Sequence, residues 1–317
     1  MTSRELPVAV VGLGGNALLP RGEAPEAELQ LEAIRGAAGH LATASERHRL
    51  VVTHGNGPQV GLLALMNDAY GEVAPYPLDV LDAESEGQIG YLVEMELDNA
   101  TRGRDTVALI TRVVVDPEDP AFSQPDKFIG PVYDESTARR QAAQKDWSIA
   151  PDGNGWRRVV ASPRPLRIVQ LPAIRALVES GFLVVCAGGG GIPVTEGPAG
   201  HQGVEAVIDK DLCSARLAAD LGAEVLVLAT DVDAVYLGWG GEDERPIART
   251  TPEELRAQFF PDGSMGPKVE ACCLMVEETG GRAAIGALDD LRGLLDGSAG
   301  TQVEPGKTPS GSRGRTP

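Results

Sequence analysis

Aromatic residues are scarce in this chain, with three Trp, five Tyr and five Phe among 317 residues, while 42% of the sequence is hydrophobic. A large core is affordable at this length, but it must be built from Ala, Val, Leu and Ile. Cysteine is also sparse: Cys186, Cys213, Cys272 and Cys273 include no CxxC, and each lies in an apolar strand or helix pattern. That argues against a disulfide framework and for reduced core thiols in a cytoplasmic protein. The four histidines, His40, His48, His54 and His201, show no metal spacing and no HExxH. Positive charge is short as well, with 28 Lys and Arg against 46 Asp and Glu and a formal net charge of −18. A broad nucleic-acid or anionic-membrane face needs the opposite balance, so any anion site must be local. No run approaches the roughly twenty apolar residues of a membrane span. The single apolar run before Gly12 to Gly15 is too short for a secretory leader. GxxxxGK[ST] is missing too, so a nucleotide would not be held by a Walker loop.

What is present centres on Gly203 to Tyr236, which reads as loop, helix, strand, loop. Asp209 suits an N-cap and Gly222 a left-handed C-terminal residue, which predicts a helix over Lys210 to Leu221. Lys210 is a cation in the first turn, where the macrodipole already places positive charge, so an anion is expected there. The pattern recurs in GSMGPKVEACCLMVEETGG, where Pro267 suits the first helical position and Lys268 follows it. One such lysine reads as a solvated side chain. Two, each after a loop and before an apolar helix, point to phosphate at helix N-termini.

Strands and helices alternate elsewhere. Val8 to Leu13, Leu50 to Thr53, Val107 to Val115, Phe182 to Ala187 and Ala283 to Ile285 read as strands. Ala27 to Leu41, Leu78 to Asn99, Leu171 to Ser180 and Asp289 to Leu295 read as helices. This alternation predicts an α/β sheet. Between Asp116 and Trp156 the periodicity fades into prolines, charges and scattered aromatics, and we read a protruding arm. No internal repeat is visible, and the Gly, Pro, Ser and Arg-rich end, residues 300–317, reads as a disordered tail.

Glycine loops follow three strands, at Gly12 to Asn16, Gly55 to Gly57 and Gly188 to Gly191. Ligands of open α/β sheets bind beyond the carboxyl ends of strands, where such loops can offer free amides to anionic oxygens. The first loop also fits GxGxxA at Gly12, Gly14 and Ala17, but the second strand ends in Thr53-His54-Gly55 rather than in the acidic residue that a dinucleotide ribose needs. For Asp231 and Asp233 two readings stand, a turn cap or a contact to ribose or magnesium. Lys127, alone, reads as a solvated loop charge, and His54 as a pocket or turn residue. Two lysines, glycine loops and no obvious catalytic His or Ser fit phosphoryl transfer to an acceptor that is already anionic, with Asp211 holding Lys210 in position.

The motifs GLGGNALL, VVTHGNGPQVG, PLDVLDAESEGQIGY, DPAFSQPDKFIGPVY, GWRRVVASPRPL, VVCAGGGGIPV, GVEAVIDKDL, LATDVDAVYLGWG and GSMGPKVEA, in this order, resemble the carbamate kinases of the amino acid kinase fold family. The resemblance runs from about Val8 to Val303. It implies a three-layer αβα sandwich around a mainly parallel open sheet, one kinase domain over residues 1–299 with the arm, residues 116–156, inserted in it, and a homodimer. The N-terminal lobe would hold carbamate and the C-terminal lobe the nucleotide. The implied reaction is reversible, magnesium-dependent transfer between ATP and carbamate, giving ADP and carbamoyl phosphate, run toward ATP in the arginine deiminase pathway. Gly14, Gly15, Asn16, Gly55, Asn56 and Gly57 would hold the small substrate and the moving phosphoryl group. Lys210 and Lys268 would stabilise that group, with Asp211 orienting Lys210 and Lys127 reaching over the substrate from the arm. Asp231, Tyr236, Met265 and Gly266 would lie on the nucleotide side. Magnesium would ride on the nucleotide phosphates, with no dedicated protein ligands. Phe128, Val132 and Glu86 depart from the family pattern, the last standing where glutamine is common. Another acyl-phosphate-forming kinase of this fold, or a silent carbamoyl phosphate or nucleotide sensor, are the alternatives.

Overall fold

Val8 to Leu13 is buried throughout, and its side chains divide between two cores: Val8 and Val10 enter one, Ala9, Val11 and Leu13 the other. A strand buried on both faces belongs in the middle of a parallel sheet. The structure, a computed structural model, describes residues 6–18, 26–260 and 265–306. Its strands are β1 (Val8–Leu13), β2 (Arg49–His54), β3 (Thr106–Ala108), β4 (Arg112–Val114), β5 (Lys127–Tyr133), β6 (Ser148–Asp152), β7 (Gly155–Val160), β8 (Arg167–Ile168), β9 (Leu183–Val185), β10 (Ile192–Gly197), β11 (Gly200–Gly203), β12 (Val225–Thr230), β13 (Val235–Leu237), β14 (Arg245–Ile247), β15 (Arg249–Thr250), β16 (Arg282–Ala287) and β17 (Thr301–Val303). The helices are α1 (Gly15–Leu18), α2 (Ala27–Ser45), α3 (Gly57–Ala69), α4 (Leu78–Thr101), α5 (Glu135–Lys145), α6 (Leu171–Ser180), α7 (Lys210–Leu221), α8 (Pro252–Arg256), α9 (Met265–Thr279) and α10 (Leu291–Asp296).

Eight strands form the main sheet in the order β15-β17-β16-β12-β1-β2-β9-β3, parallel except for β16 against β17. Helices α2, α4 and α10 cover one face through Ile34, Leu41, Ile89, Val93 and Leu294. Helices α6, α7 and α9 cover the other through Ile174, Cys213, Leu217, Cys272 and Val276. The expected three-layer αβα sandwich is thus present. Because β1, β2 and β12 run in register and parallel, the loops after Leu13, His54 and Thr230 share one edge of the sheet. Among the described residues no helix is long and apolar enough to cross a membrane.

Several elements differ from the sequence reading. The run Val107 to Val115 is two strands: β3 pairs β9 in the main sheet, and β4 joins the four-stranded sheet β11-β10-β4-β8. The break falls at Thr111, whose N–H donates to Glu86 Oε2 (3.0 Å) and whose hydroxyl accepts from Ala187 N–H (2.9 Å). The tail boundary also moves, because Thr301 to Val303 form β17, fully integrated in the main sheet. Residues 307–317 lie outside the described residues. Helix α9 already runs at Met265, two residues before the proline expected to open it.

The segment read as an arm carries a three-stranded antiparallel sheet, β5-β7-β6, with α5 beside it, and its last strand continues to Val160. Ile129 and Val160 join Val60, Leu78, Leu81 and Val207 in a small core of their own. At Gly61 of α3, an added Cβ would lie 2.5 Å from Gly130 Cα. The arm backbone therefore rests directly on α3.

Candidate active site

Helix α7 begins as its sequence dictates. Asp209 Oδ1 accepts the N–H groups of Asp211 (2.9 Å) and Leu212 (3.3 Å), and Gly222 closes the helix at φ 66°. The cap sets the direction in which the first turn projects its side chains. Lys210 extends over the second glycine loop: its Cδ lies 3.4 Å from where a Cβ at Gly55 would stand, and Gly15 N lies 3.4 Å from the same point. The two loops and the lysine thus meet at van der Waals distance around position 55.

Asp211 sits between two lysines. Its Oδ1 takes Lys210 and its Oδ2 takes Lys268 at 3.0 Å. Both ammonium groups and the carboxylate are nearly withdrawn from solvent, with lysine side chains 12% exposed and Asp211 4%. Burial pulls Lys210 below the ordinary lysine range and Lys268 adds to that, while Asp211 opposes it. The third lysine, Lys127 at the start of β5, lies 2.5 Å from Asp209 Oδ2. Burial would lower Lys127, but the charge and hydrogen bond of Asp209 outweigh it and the group is raised. Asp209 itself would be raised by burial, yet Lys127 and Lys210 hold it well below the usual carboxylate range. Three lysines face two aspartates here beside the α7 N-terminus.

The first two glycine loops are fixed from behind. Gly14 N–H donates to Ala229 O (3.0 Å), and Gly55 N–H to Leu13 O (3.1 Å). Gly15 and Gly57 open α1 and α3, so their N–H groups belong to first turns that the helices leave without acceptors. Of Asn16 the backbone lies in α1 and the side chain is outside the described residues. Asn56 turns away from the loops: its Nδ2 donates to Asp82 Oδ1 (3.0 Å) and Ser85 Oγ (2.9 Å) of α4.

The third loop corrects the expectation of free amides. Gly188 N–H donates to Glu86 Oε1 (3.0 Å), Gly190 N–H to Ala187 O (3.1 Å) and Gly191 N–H to Gly188 O (2.9 Å). This turn packs against the second glycine loop instead, since a Cβ at Gly189 would lie 2.2 Å from Asn56 Nδ2 and one at Gly188 would lie 2.2 Å from the His54 ring. His54 is therefore a buried packing residue, its Nδ1 next to Gly55 O at 3.1 Å.

On the expected nucleotide side, Tyr236 donates to Asp233 Oδ1 (2.9 Å) and stands edge-on to Trp239 with ring centroids 5.3 Å apart. Asp231 follows β12 and accepts from Thr230 Oγ1 at 3.1 Å. Met265 and Gly266 open the described part of α9, one turn ahead of Lys268. The geometry thus gathers Gly15, Gly55, Lys127, Lys210, Asp211 and Lys268 with Asp209. The pairing of Asp209 with Lys127 was not read from the sequence, where Asp209 shows only its capping signature.

The model of the amino acid kinase family matches residues 7–286. The chain belongs to that family. It is 52% identical over 298 residues to a carbamate kinase of Rhizobium meliloti (strain 1021), covering 93% of this chain and 92% of the relative. It is 50% identical over 294 residues to a carbamate kinase of Escherichia coli (strain K12), covering 93% and 98%. A solved structure of carbamate kinase from Giardia lamblia bound to AMP-PNP superposes with a TM-score of 0.88 at 36% identity, covering 96% of this chain and 100% of that one. The resemblance read from the ordered motifs therefore holds along nearly the whole chain, and the chain is a kinase.

Proposed function

We propose that this enzyme transfers a phosphoryl group between ATP and carbamate, forming ADP and carbamoyl phosphate, and that it works toward ATP in arginine breakdown. The observation that carries the reading is Asp211 holding Lys210 and Lys268 side by side at the start of α7, against the Gly15 and Gly55 loops. Phosphoryl transfer spreads negative charge over the moving oxygens, and fixed positive charge stabilises it most when buried and already oriented. Carbamate oxygen is an anionic nucleophile, so no general base is required. Lys210 and Lys268 take the equatorial oxygens, Asp211 keeps the two ammonium groups from drifting apart, and the first-turn amides of Gly15 and Gly57 add donors. Lys127 supplies charge from the arm. Asp231, Tyr236, Met265 and Gly266 face the nucleotide in the C-terminal half, and carbamate takes the N-terminal half.

Among the described residues no group of three His, Cys, Asp or Glu side chains is placed to hold a metal, and Asp209 and Asp211 already carry lysines. Magnesium arriving on the nucleotide would neutralise phosphate charge there. Four free, buried cysteines suit the cytoplasm. We assign a homodimer through the outer face of α4 and the β3 edge.

The test is ATP formation from ADP, Mg²⁺ and carbamoyl phosphate, followed by luminescence, with acetyl phosphate as the competing donor. Rapid ATP formation from carbamoyl phosphate alone is expected, and Lys210→Ala should lower turnover by roughly 10²–10³-fold, the usual loss for one transition-state donor. No ATP from a folded chain that still binds ADP would replace this reading with a sensor or a different acceptor.

A further inference from the structure

Asp209 divides its carboxylate between two elements. Oδ1 caps α7 through the N–H groups of Asp211 and Leu212, and Oδ2 takes the Lys127 ammonium at 2.5 Å. The cap accounts for one oxygen only. Serine, threonine or asparagine would cap the helix about as well, so the second oxygen finds its explanation in the arm.

Apart from the Lys145–Asp68 ion pair that ties α5 to α3, the contact beneath β5 is apolar. Ile129 sits in an apolar cluster with Val60, Leu78, Leu81 and Val207, and Gly130 rests on Gly61. Apolar packing holds a strand against a surface but leaves its register along that surface weakly specified. A charge-assisted hydrogen bond in a half-dry site fixes one atom. Lys127 has few other choices, because both oxygens of Asp211 are already taken by Lys210 and Lys268.

We propose that Asp209 is a positioning residue that locks the arm to the catalytic helix: one oxygen aims the first turn of α7, and the other holds Lys127 over it. Alignment of Lys210 and placement of Lys127 then share a single anchor. An arm that swings away loses Lys127 from the site without disturbing the Lys210–Asp211–Lys268 cluster. The kinetic part of this inference rests on the phosphoryl-transfer reading.

Asp209→Asn separates the two oxygens. Asparagine keeps a carbonyl for the cap and must then point an NH₂ at Lys127, which releases the arm lysine while the helix stays capped. The expected result is an unchanged far-UV spectrum and a fall of roughly tenfold or more in kcat/KM for carbamoyl phosphate, as for loss of a buried charged partner, with KM for ADP nearly constant. The double variant Asp209→Asn/Lys127→Ala should be no worse than Lys127→Ala alone. Full additivity, or an unchanged kcat/KM in Asp209→Asn, would overturn the proposal. Hydrogen exchange of the Lys127 to Tyr133 amides gives a readout independent of turnover: it should quicken in Asp209→Asn and in Lys127→Met, and unchanged exchange in both would also overturn it. If Asp209→Asn does not fold, Asp209→Ser keeps a cap and removes the second oxygen, and the same outcomes apply. Should the parent chain make no ATP, the reaction assignment fails while the exchange rates still decide the anchor.

Discussion

Glu86 is a carboxyl group with almost no access to water, accepting the N–H groups of Thr111 and Gly188, each at 3.0 Å. Burial lifts it from an ordinary 4.5 to about 8 despite those bonds. Between those two values the native chain keeps a proton that the unfolded chain has lost, so stability declines as pH rises through the window. His54, packed on the same glycine turn, has the opposite slope: burial lowers it from 6.5 to about 4, and stability declines as pH falls through that range. Glu86→Gln should remove the first slope and leave the second. Tm of the variant should gain on the parent by several degrees as pH rises from 4.5 to 8, with the gap flat outside that window; parallel Tm curves would show that Glu86 does not hold the proton. At this scale the sequence is legible where a residue contradicts its local setting. Lys210 stands out because a cation opens a helix, and Lys268 because the pattern repeats. Asp209 does not, because its cap satisfies local expectation and its partner lies 82 residues away in another element.

Helices α6 and α7 lie where their caps put them, stopped at Gly181 and Gly222. The strands around position 110 do not, since an apolar run looks the same whether it fills one sheet or crosses between two, and the break is set by Glu86 from α4. The arm hides its strands for a related reason: β5 and β6 are mostly half-buried or exposed, so no clean period marks them. Its aromatics are used against cations, with Arg139 over Trp156 at 5.0 Å and Lys145 and Arg158 over Trp147 at 4.6 and 4.7 Å. The glycine contact on α3 seats this element together with the Asp209–Lys127 pair. A Cβ at position 61 would stand 2.5 Å from Gly130 Cα and 2.6 Å from its N, and backbone cannot yield as a flexible side chain can. Gly61→Ala should therefore lift the arm although alanine favours the helix by about 1 kcal/mol. We expect helicity to hold while KM for carbamoyl phosphate rises several-fold and KM for ADP stays put. An unchanged KM for carbamoyl phosphate would mean that the arm seats without this contact.

The whole molecule carries an open sheet edge with exposed apolar side chains near it. Strand β3 ends the eight-stranded sheet, and just after it Ile110 is 50% exposed, with Tyr91 of α4 at 59%. Ile110 lies close on the same helix, its Cδ1 3.7 Å from where a Cβ at Gly87 would stand. An unpaired strand edge flanked by apolar side chains is an association surface unless something covers it, and a second copy of this chain presents the matching edge. Each copy brings a net charge of −18, so association works against long-range repulsion that salt screens within about 10 Å at 0.1 M. Two consequences follow for light scattering: the parent should weigh two chains at moderate salt and shift toward one as salt is removed, and Tyr91→Asp should stay at one chain throughout. A parent that weighs one chain at every salt concentration would rule the dimer out. On the inner face of the same helix Asp82, Ser85 and Glu86 hold Asn56 and the Gly188 turn. Loosening α4 from outside should reach those contacts before the lysine cluster, so the monomeric variant is expected to lose affinity for carbamoyl phosphate while its affinity for ADP changes little.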